Sequence, residues 1–210
     1  MKTRERLIKA ASEVFAKKNF TAATIANICS LARTNLAAVN YHFRDKETLY
    51  REAWRYAYRE GAKAHPIDGG VPDDAPAEDR LRGIVKALIL RITDEKNKEF
   101  WIVTREMSNP TGLLEEVMET ELKPLQTRIE SVVEALLGAD ASPERTLYCA
   151  ISIIHQCYHP VLKKISNVDP KKSNRPLVDI PAFIDHVIRF SLGGIRAVAE
   201  ASELPGEQKQ

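Results

Sequence analysis

Residues 24–43 decide the fold, and they read Thr-Ile-Ala-Asn-Ile-Cys-Ser-Leu-Ala-Arg-Thr-Asn-Leu-Ala-Ala-Val-Asn-Tyr-His-Phe. The stretch predicts two short helices joined by a turn at Ala32 to Thr34. Thr24 and Asn35 are good N-cap residues, because their side-chain oxygens can accept from the free amides of a helix's first turn. The predicted buried stripe of the first helix is Ile25, Ile28 and Leu31.

The second helix has an outward face of small and hydrogen-bonding side chains. Leu36, Val39 and Phe43 fall at i, i+3 and i+7, so they are predicted to pack inward. The outward residues are Asn35, Ala37, Ala38, Asn40, Tyr41 and His42. Such a face suits a DNA groove, because alanine allows close approach and Asn, Tyr and His can bond bases or phosphates. The plain alternative is a small helical hairpin within a core.

The flanking segments favour the DNA interpretation. Arg4 to Lys18 predicts an amphipathic helix that would cover the inward faces of the pair. Its apolar positions are Leu7, Ile8, Ala11, Val14 and Phe15, with Phe20 expected to complete the core. Asp45 predicts the N-cap of a fourth helix, whose first-turn amides and Lys46 could hold a phosphate.

Charge is unevenly distributed along the chain. Residues 1–50 hold nine Lys or Arg against four Asp or Glu, a net charge of +5, whereas residues 51–210 have a net charge of −3. A basic N-terminal end supplies the salt-sensitive, sequence-independent part of DNA affinity.

The segment from Phe20 to Tyr50 resembles the N-terminal domain of TetR-family transcriptional regulators. The resemblance rests on Asn35-Leu36-Ala37-Ala38-Val39-Asn40-Tyr41-His42-Phe43 followed by Lys46-Glu47. The same string, with Arg105-Glu106-Met107, Pro110-Thr111 and Lys123-Pro124, is similar to the CecR-like branch. The resemblance implies a homodimer that puts one recognition helix per subunit into successive major grooves of a palindromic, double-stranded DNA operator. It also implies a repressor that a small effector in the C-terminal domain releases from DNA.

Carried over residue by residue, the resemblance divides the DNA contacts. Thr24 and Lys46 would touch phosphates, and Tyr41 and His42 would clamp the backbone. The base-facing residues would be Asn35, Ala37, Ala38 and Asn40.

The turn departs from the family pattern. The family usually has Ala-Gly-Val where this chain has Ala32-Arg33-Thr34, so a Gly suited to unusual backbone angles has become Arg. Either the turn is altered, or Arg33 makes an extra DNA contact, or it is a tolerated surface residue. Arg33 and Thr34 therefore join the candidate DNA-binding residues.

The rest of the chain is divided by Pro and Gly and predicts an all-α protein. A helix from Lys46 to about His65 would be roughly 30 Å long and would connect the DNA-binding helices to the next domain. Further helices are predicted at about 77–95, 97–109, 113–138, 142–166 and 180–201. We expect a three-helix helix-turn-helix DNA-binding domain at 1–50 and a larger helical effector-binding and dimerisation domain at 51–210.

Two of these helices suggest how the dimer forms. The helix from about Ser142 is apolar nearly all round, so it must be covered on more than one side. The last helix carries Gly193-Gly194 in its middle, at a cost of roughly 1 kcal/mol per residue that a close helix crossing could offset. The prediction is a four-helix interface, with these two helices contributed by each subunit.

Polar and aromatic residues on otherwise apolar helices are the candidate effector-binding residues. Tyr148, Ser152, His155 and His159 form one stripe, while Trp101 and Arg105 lie one turn apart on another helix. If these faces meet, they outline an apolar pocket with one positive charge, suited to an aromatic or amphipathic effector and compatible with an anionic one. Alternatively, the His and Tyr residues are ordinary core or interface residues.

Other functions have weaker support in the sequence. A metal- or redox-sensing regulator could use Cys149, His155, Cys157 and His159, but Cys157 points away from the two histidines on one helix. A helical enzyme would need a phosphate loop, nucleophile elbow or acid pair, and the sequence has none. We expect no catalytic residues, resident metal or cofactor. The three cysteines and the charged N-terminal stretch lead us to expect a cytoplasmic protein without a membrane span.

Overall fold

A computed structural model of the chain describes residues 2–165 and 179–201, with the backbone alone for 159–165. Within these ranges the chain is helical and contains no strand, which confirms the all-α prediction. The helices are α1 (Thr3–Lys17), α2 (Ile25–Ala32), α3 (Leu36–Phe43), α4 (Lys46–Ala64), α5 (Ala77–Thr93), α6 (Lys98–Ser108), α7 (Glu115–Leu137), α8 (Pro143–Ile165) and α9 (Ile180–Glu200). A short 3-10 turn, Gly138–Asp140, follows α7. None of the described helices is long and apolar enough to cross a membrane.

The helices divide into two compact units. The first unit comprises residues 1–66 and 91–123, and the second comprises 67–90 and 124–210. Helices α5 and α7 therefore each contribute to both units. The division in α7 falls at Pro124, a residue inside the helix that has no amide hydrogen to donate. These units describe how the helices pack and not which of them bind DNA or an effector. The functional division at residue 50 therefore stays a prediction.

The core of the first unit is built on α1 and α4. All five predicted apolar positions of α1 are buried, and Phe20 packs against them. Tyr50 lies among them, with its ring centroid 4.7 Å from that of Phe15 and 5.1 Å from that of Phe20. Trp54 of α4 is completely buried, and Ile102 of α6 and Leu114 belong to the same cluster. The three N-terminal helices thus share one core with α4, α6 and the start of α7.

The predicted buried faces of α2 and α3 need correction. Leu31 and Leu36 were expected to pack inward, but they are 51% and 57% exposed. In α2 the stripe continues from Ile28 to Cys29 and Ala32, which turns Leu31 outward.

In α3 the buried face is rotated from the predicted one. The buried residues are Val39 and Phe43, and Ala38 is half-buried against the same core instead of facing out. His42, also expected outside, is half-buried as well. This rotation leaves Leu36, in the first turn, outside the core.

The second unit has its own apolar core, formed by α5, the second half of α7, α8 and α9. Leu81, Ile129, Val133, Ile153 and Val187 are among its most buried residues. Helix α8 was predicted to need cover on more than one side. Its Cys149, Ala150, Ile153 and Cys157 side is buried, while Leu147, Tyr148 and Ile151 remain exposed.

Candidate nucleic-acid interface

The starts of α2 and α3 are fixed by side-chain caps. Thr24 Oγ1 accepts a hydrogen bond from the Asn27 amide at 3.2 Å, and Asn35 Oδ1 accepts from the Ala38 amide at 3.0 Å. Both predicted N-caps are confirmed. Because the Asn35 oxygen is used in the cap, its amide NH₂ group is the part left for a contact outside the helix.

The turn between α2 and α3 keeps a left-handed residue at Arg33, with φ 51° and ψ 55°. The Arg33 amide donates to the Ser30 carbonyl at 3.1 Å, and the Thr34 amide donates to the Cys29 carbonyl at 3.0 Å. This pair of bonds is a Schellman motif, which normally has Gly at the left-handed position. The turn is therefore kept, with an exposed Arg in a conformation that costs a non-glycine residue roughly 1–2 kcal/mol.

The exposed face of α3 is made of Leu36, Ala37, Asn40 and Tyr41. Tyr41 is 84% exposed, and its ring packs edge-on at 4.9 Å from the ring of His42. The half-buried His42 and Ala38 have less surface to offer a ligand than the prediction assumed. Leu36 was missed as a site residue, because its spacing to Phe43 predicted burial.

The end of α3 is strained as well. Arg44 has φ 68° and ψ −51°, and the Asp45 amide donates to the Phe43 carbonyl at 2.8 Å. This is a three-residue γ-turn of the strained, positive-φ kind. A tight turn of this kind fixes the direction in which α4 leaves α3.

The cap of α4 comes immediately after this turn. Asp45 Oδ1 accepts from the Thr48 amide at 2.7 Å, as predicted, and this hydrogen bond lowers the pKa of the Asp45 carboxyl. Lys46 Nζ lies 4.4 Å from the centroid of the Phe20 ring, and partial burial lowers its pKa. The Lys46 ammonium is thus held against the core formed with α1 to α3, at the end of α3.

Helix α4 is tied to the loop between α6 and α7 through Glu106. Tyr50 hydroxyl donates to Glu106 Oε2 at 2.9 Å. The other oxygen, Oε1, accepts from the Thr111 amide and hydroxyl, both at 2.7 Å, and from the Gly112 amide at 3.1 Å. Burial and the nearby Glu106 carboxylate raise the pKa of Tyr50, which keeps its hydroxyl protonated as the donor. One carboxylate therefore connects the core around α1 and α4 to this loop.

A second connection joins α4 to the end of α5 and the start of α6 through a buried ion pair. Arg91 Nη2 lies 2.8 Å from Glu99 Oε2 and donates to the Tyr58 carbonyl at 2.9 Å. The guanidinium also stacks over the Tyr58 ring, 4.3 Å from its centroid. Gly61 leaves room for the pair, because a Cβ there would lie 3.1 Å from Glu99 Oε2. Burial raises the pKa of Glu99, and Arg91 opposes that rise.

The predicted effector residues on α6 line a groove in the first unit. Trp101 and Arg105 form one wall, α1 and α4 form the others, and the groove has a volume of about 960 Å³. Trp101 is half-buried and Arg105 is exposed.

The predicted effector residues on α8 lie in the second unit and are exposed where described. Ser152 and His155 bond the carbonyls of Tyr148 and Ile151 one turn earlier, each at 2.8 Å, and Tyr148 is 60% exposed. The side chain of His159 lies outside the described residues. An effector role for these four residues stays a prediction.

The cysteines proposed for a metal or redox site face the interior of the second unit. Cys157 is completely buried, and burial raises the pKa of its thiol to about 12. Cys149 is buried on the same side of α8, whereas His155 is exposed on another. The described members of the proposed set therefore do not converge on one point.

Two family models match the chain. Residues 7–53 match bacterial regulatory proteins of the tetR family, and residues 77–195 match the C-terminal domain of the HTH-type transcriptional dual regulator CecR. The chain is also 37% identical over 57 residues to the HTH-type transcriptional repressor NicS of Pseudomonas putida strain KT2440. That match spans 27% of this chain and 27% of the repressor.

Solved structures show the same fold along nearly the whole chain. A transcriptional regulator from Pseudomonas aeruginosa PAO1 is similar with a TM-score of 0.73 and 17% identity, covering 92% of this chain and 90% of that one. A TetR-like regulator from Rhodococcus sp. RHA1 has a TM-score of 0.66 and 13% identity, covering 92% and 96%. AibR, solved with isovaleryl coenzyme A and operator DNA, has a TM-score of 0.66 and 17% identity, covering 90% and 97%.

Proposed function

The chain belongs to the TetR family of bacterial transcriptional regulators, and from this premise we propose that it is a repressor that a small effector releases from a palindromic operator. Its family makes it a DNA-binding regulator and not an enzyme. The observation that carries the specific proposal is the exposed face of α3. Leu36, Ala37, Asn40 and Tyr41 project from a short helix that is capped at its start and held by a γ-turn at its end. A rigidly held helix can present such a face to the base edges of a major groove.

We assign separate roles to the residues around α3. Asn40 and Ala37 face bases, with the Asn35 amide group available beside them, while Tyr41, His42, Thr24 and Lys46 contact the phosphate backbone. Arg33 and Thr34 lie at the turn, where the exposed Arg33 can add a phosphate contact. Ala38 supports the helix from its half-buried side.

The dimer that a palindrome requires is supported by the second unit. On α9, Phe190, Gly193, Gly194 and Ala197 share one exposed face, and nothing in the described chain lies within 4 Å of a Cβ placed on either glycine. On α8, Leu147, Tyr148 and Ile151 are exposed although apolar or aromatic. Helices α8 and α9 pack on one another, so the two faces can form one surface for a second copy. This assignment accounts for the exposure of Tyr148 better than an effector pocket does.

Helix α4 is the element through which an effector would act on DNA. It begins directly after α3 and carries Tyr50, Tyr58 and Gly61, which contact the Glu106 and Arg91–Glu99 connections. An effector that contacts α6 at Trp101 and Arg105 would bias these connections. The result would be a dimer in which the recognition helices no longer match grooves about 34–36 Å apart.

Two substitutions test the DNA surface. The operator is first obtained by selecting DNA fragments that the purified protein retains. Asn40→Ala is expected to weaken gel-shift affinity by about 5- to 150-fold, because a good base contact contributes about 1–3 kcal/mol. Tyr41→Ala should weaken binding similarly on all sequences, since phosphate contacts do not discriminate.

Glu119→Ala, at an exposed position of α7, is the matched control and should bind as wild type does. Unchanged affinity in both α3 variants, with normal circular dichroism, would remove the proposed surface. Small molecules are then screened for elution of the bound operator, and the set should include aromatic acids and acyl-coenzyme A thioesters.

A further inference from the structure

The groove of the first unit places two aromatic side chains and several cations around one space. Tyr56 of α4 and Trp101 of α6 are both half-buried along its lining. Ala57 and Gly61 of α4 also line the groove, below the two aromatic residues in side-chain volume. An open face of this kind favours a flat apolar body.

The acidic side chains of the groove are mostly paired. Glu13 Oε1 lies 3.1 Å from Lys98 Nζ, and Glu60 Oε1 lies 2.8 Å from Lys63 Nζ. Asp94 Oδ2 lies 3.1 Å from His65 Nε2. The two lysine pairs reduce the negative charge that an incoming ligand would meet.

The remaining cations of the groove have no such partner. In the described parts of the chain, no carboxylate pairs with Lys9 or Lys17 of α1, Lys96 of the α5–α6 turn, or Arg105 of α6. Glu95 is the one lining carboxylate, among described residues, that also has no ion pair. The excess of unpaired positive charge favours an anion.

We propose that this groove binds an organic anion with an aromatic or amphipathic body, which stacks on Trp101 and Tyr56 and is attracted by the unpaired cations of the lining. Such a ligand contacts α1, α4 and α6 together. Helix α1 is part of the core that supports α3, so the ligand acts on the DNA-binding helices directly as well as through α4. This consequence for DNA rests on the proposed function, whereas the binding site does not.

Two fluorescent probes separate the aromatic and the charged parts of the site. The aromatic sulfonate 8-anilinonaphthalene-1-sulfonate carries both features, and the uncharged N-phenyl-1-naphthylamine lacks the anion. We expect saturable binding of the sulfonate to the full chain. Trp101→Ala should weaken binding of both probes by about tenfold, equivalent to about 1.4 kcal/mol.

The charge variants make the assignment specific. Lys17→Gln and Arg105→Gln should each weaken sulfonate binding about three- to tenfold and leave binding of the neutral probe unchanged. Lys123→Gln, which removes an exposed cation of the same unit that does not line the groove, should change neither. Equal sulfonate affinity in wild type and Trp101→Ala would overturn the site, and so would equal loss in Lys17→Gln and Lys123→Gln.

Operator binding by the same variants, measured without probe, tests the proposed function separately. None of the groove residues lies on α3, so these variants should retain their gel shift. If the wild type bound no DNA sequence specifically, that result would count against the regulator proposal. The probe-binding result would be unaffected.

Discussion

The hydroxyl of Tyr50 donates a 2.9 Å hydrogen bond to Oε2 of Glu106, across 56 positions of sequence. Tyr50 is 1% exposed and packs on Phe15 and Phe20 in the core of the DNA-binding helices. Glu106 simultaneously holds the loop at Thr111 and Gly112. A displacement of this loop therefore has a direct connection to the helices behind α3.

Removing the Tyr50 hydroxyl should cost stability and coupling. In Tyr50→Phe a partly buried carboxylate loses a donor, and a hydrogen bond to a charged group contributes about 1.5–3 kcal/mol. We expect urea unfolding to show a loss of this size and the effector-induced release of operator to need more effector. For the unfolding measurement, Tyr56→Phe is the control on the same helix, because its hydroxyl makes no hydrogen bond in the part of the chain described. It should change stability by less than about 0.5 kcal/mol.

Glu106→Ala and Glu106→Gln extend the same test. Alanine leaves the Tyr50 hydroxyl and the loop amides without their acceptor, whereas glutamine retains one acceptor oxygen for the loop. The expected order of stability is wild type, then Glu106→Gln, then Glu106→Ala. If Tyr50→Phe were as stable as Tyr56→Phe, the hydrogen bond between Tyr50 and Glu106 would contribute nothing to the free energy of unfolding.

The left-handed Arg33 predicts opposite effects for two substitutions. Arg33→Gly removes the strain at φ 51°, partly offset by the greater freedom of glycine in the unfolded chain, so we expect a gain of about 0.5–1 kcal/mol. Arg33→Ala keeps the strain and should leave stability nearly unchanged.

Both Arg33 variants remove the guanidinium, which isolates its role at DNA. If Arg33 contacts a phosphate, both should lose gel-shift affinity equally and reduce the salt dependence of binding by about one unit of slope. An Arg33→Gly protein less stable than Arg33→Ala would contradict the strain argument.

Helical periodicity in the sequence was sufficient to predict the described helices. It was not sufficient to predict which side of each helix is buried. Caps such as Thr24, Asn35 and Asp45 are local, so the sequence places them correctly. Leu31 and Leu36 fit an apolar spacing as well as their buried neighbours do, and only the position of α1 and α4 decides which side is covered. The predicted inward positions of Leu31 and Leu36 were wrong for this reason, whereas Ile28, Val39 and Phe43 are buried as predicted.

Contacts between residues far apart in the chain could not be predicted from the sequence. Arg105-Glu106-Met107 and Pro110-Thr111 are visible as a family pattern, yet nothing local shows that Glu106 binds Tyr50. Arg33 is the intermediate case. The sequence shows that Arg33 replaces a family Gly. Whether the turn changes or Arg33 adopts the left-handed conformation depends on backbone angles that only the structure gives.

The exposed Leu36 should read a thymine methyl. It lies in the first turn of α3 beside Ala37, and apolar side chains recognise thymine through its C5 methyl. Replacing the contacted thymine by uracil removes that methyl and should weaken wild-type binding by about 0.8 kcal/mol, roughly fourfold. Leu36→Ala should bind the two operators alike.

Leu31 offers the matched control for Leu36. It is also an exposed leucine, 51% against 57%, but it lies on α2. Leu31→Ala should keep the full preference for thymine at the contacted position. If Leu36→Ala still distinguishes thymine from uracil at every position of the half-site, Leu36 does not read this base.

The open glycines of α9 provide a test of the dimer that spares the fold of the single chain. A Cβ at Gly193 meets nothing within 4 Å in the described chain apart from the backbone of its own helix, and replacing an exposed helical glycine stabilises the helix by roughly 0.5–1 kcal/mol. Gly193→Leu would nevertheless block a close helix crossing with a second copy. We expect sedimentation to show a dimer for wild type and a monomer for Gly193→Leu at micromolar concentration, with weakened operator binding.

Met107→Leu, at a 74% exposed position outside this face, should remain dimeric. A fully dimeric Gly193→Leu protein would show that the copies meet through some other surface.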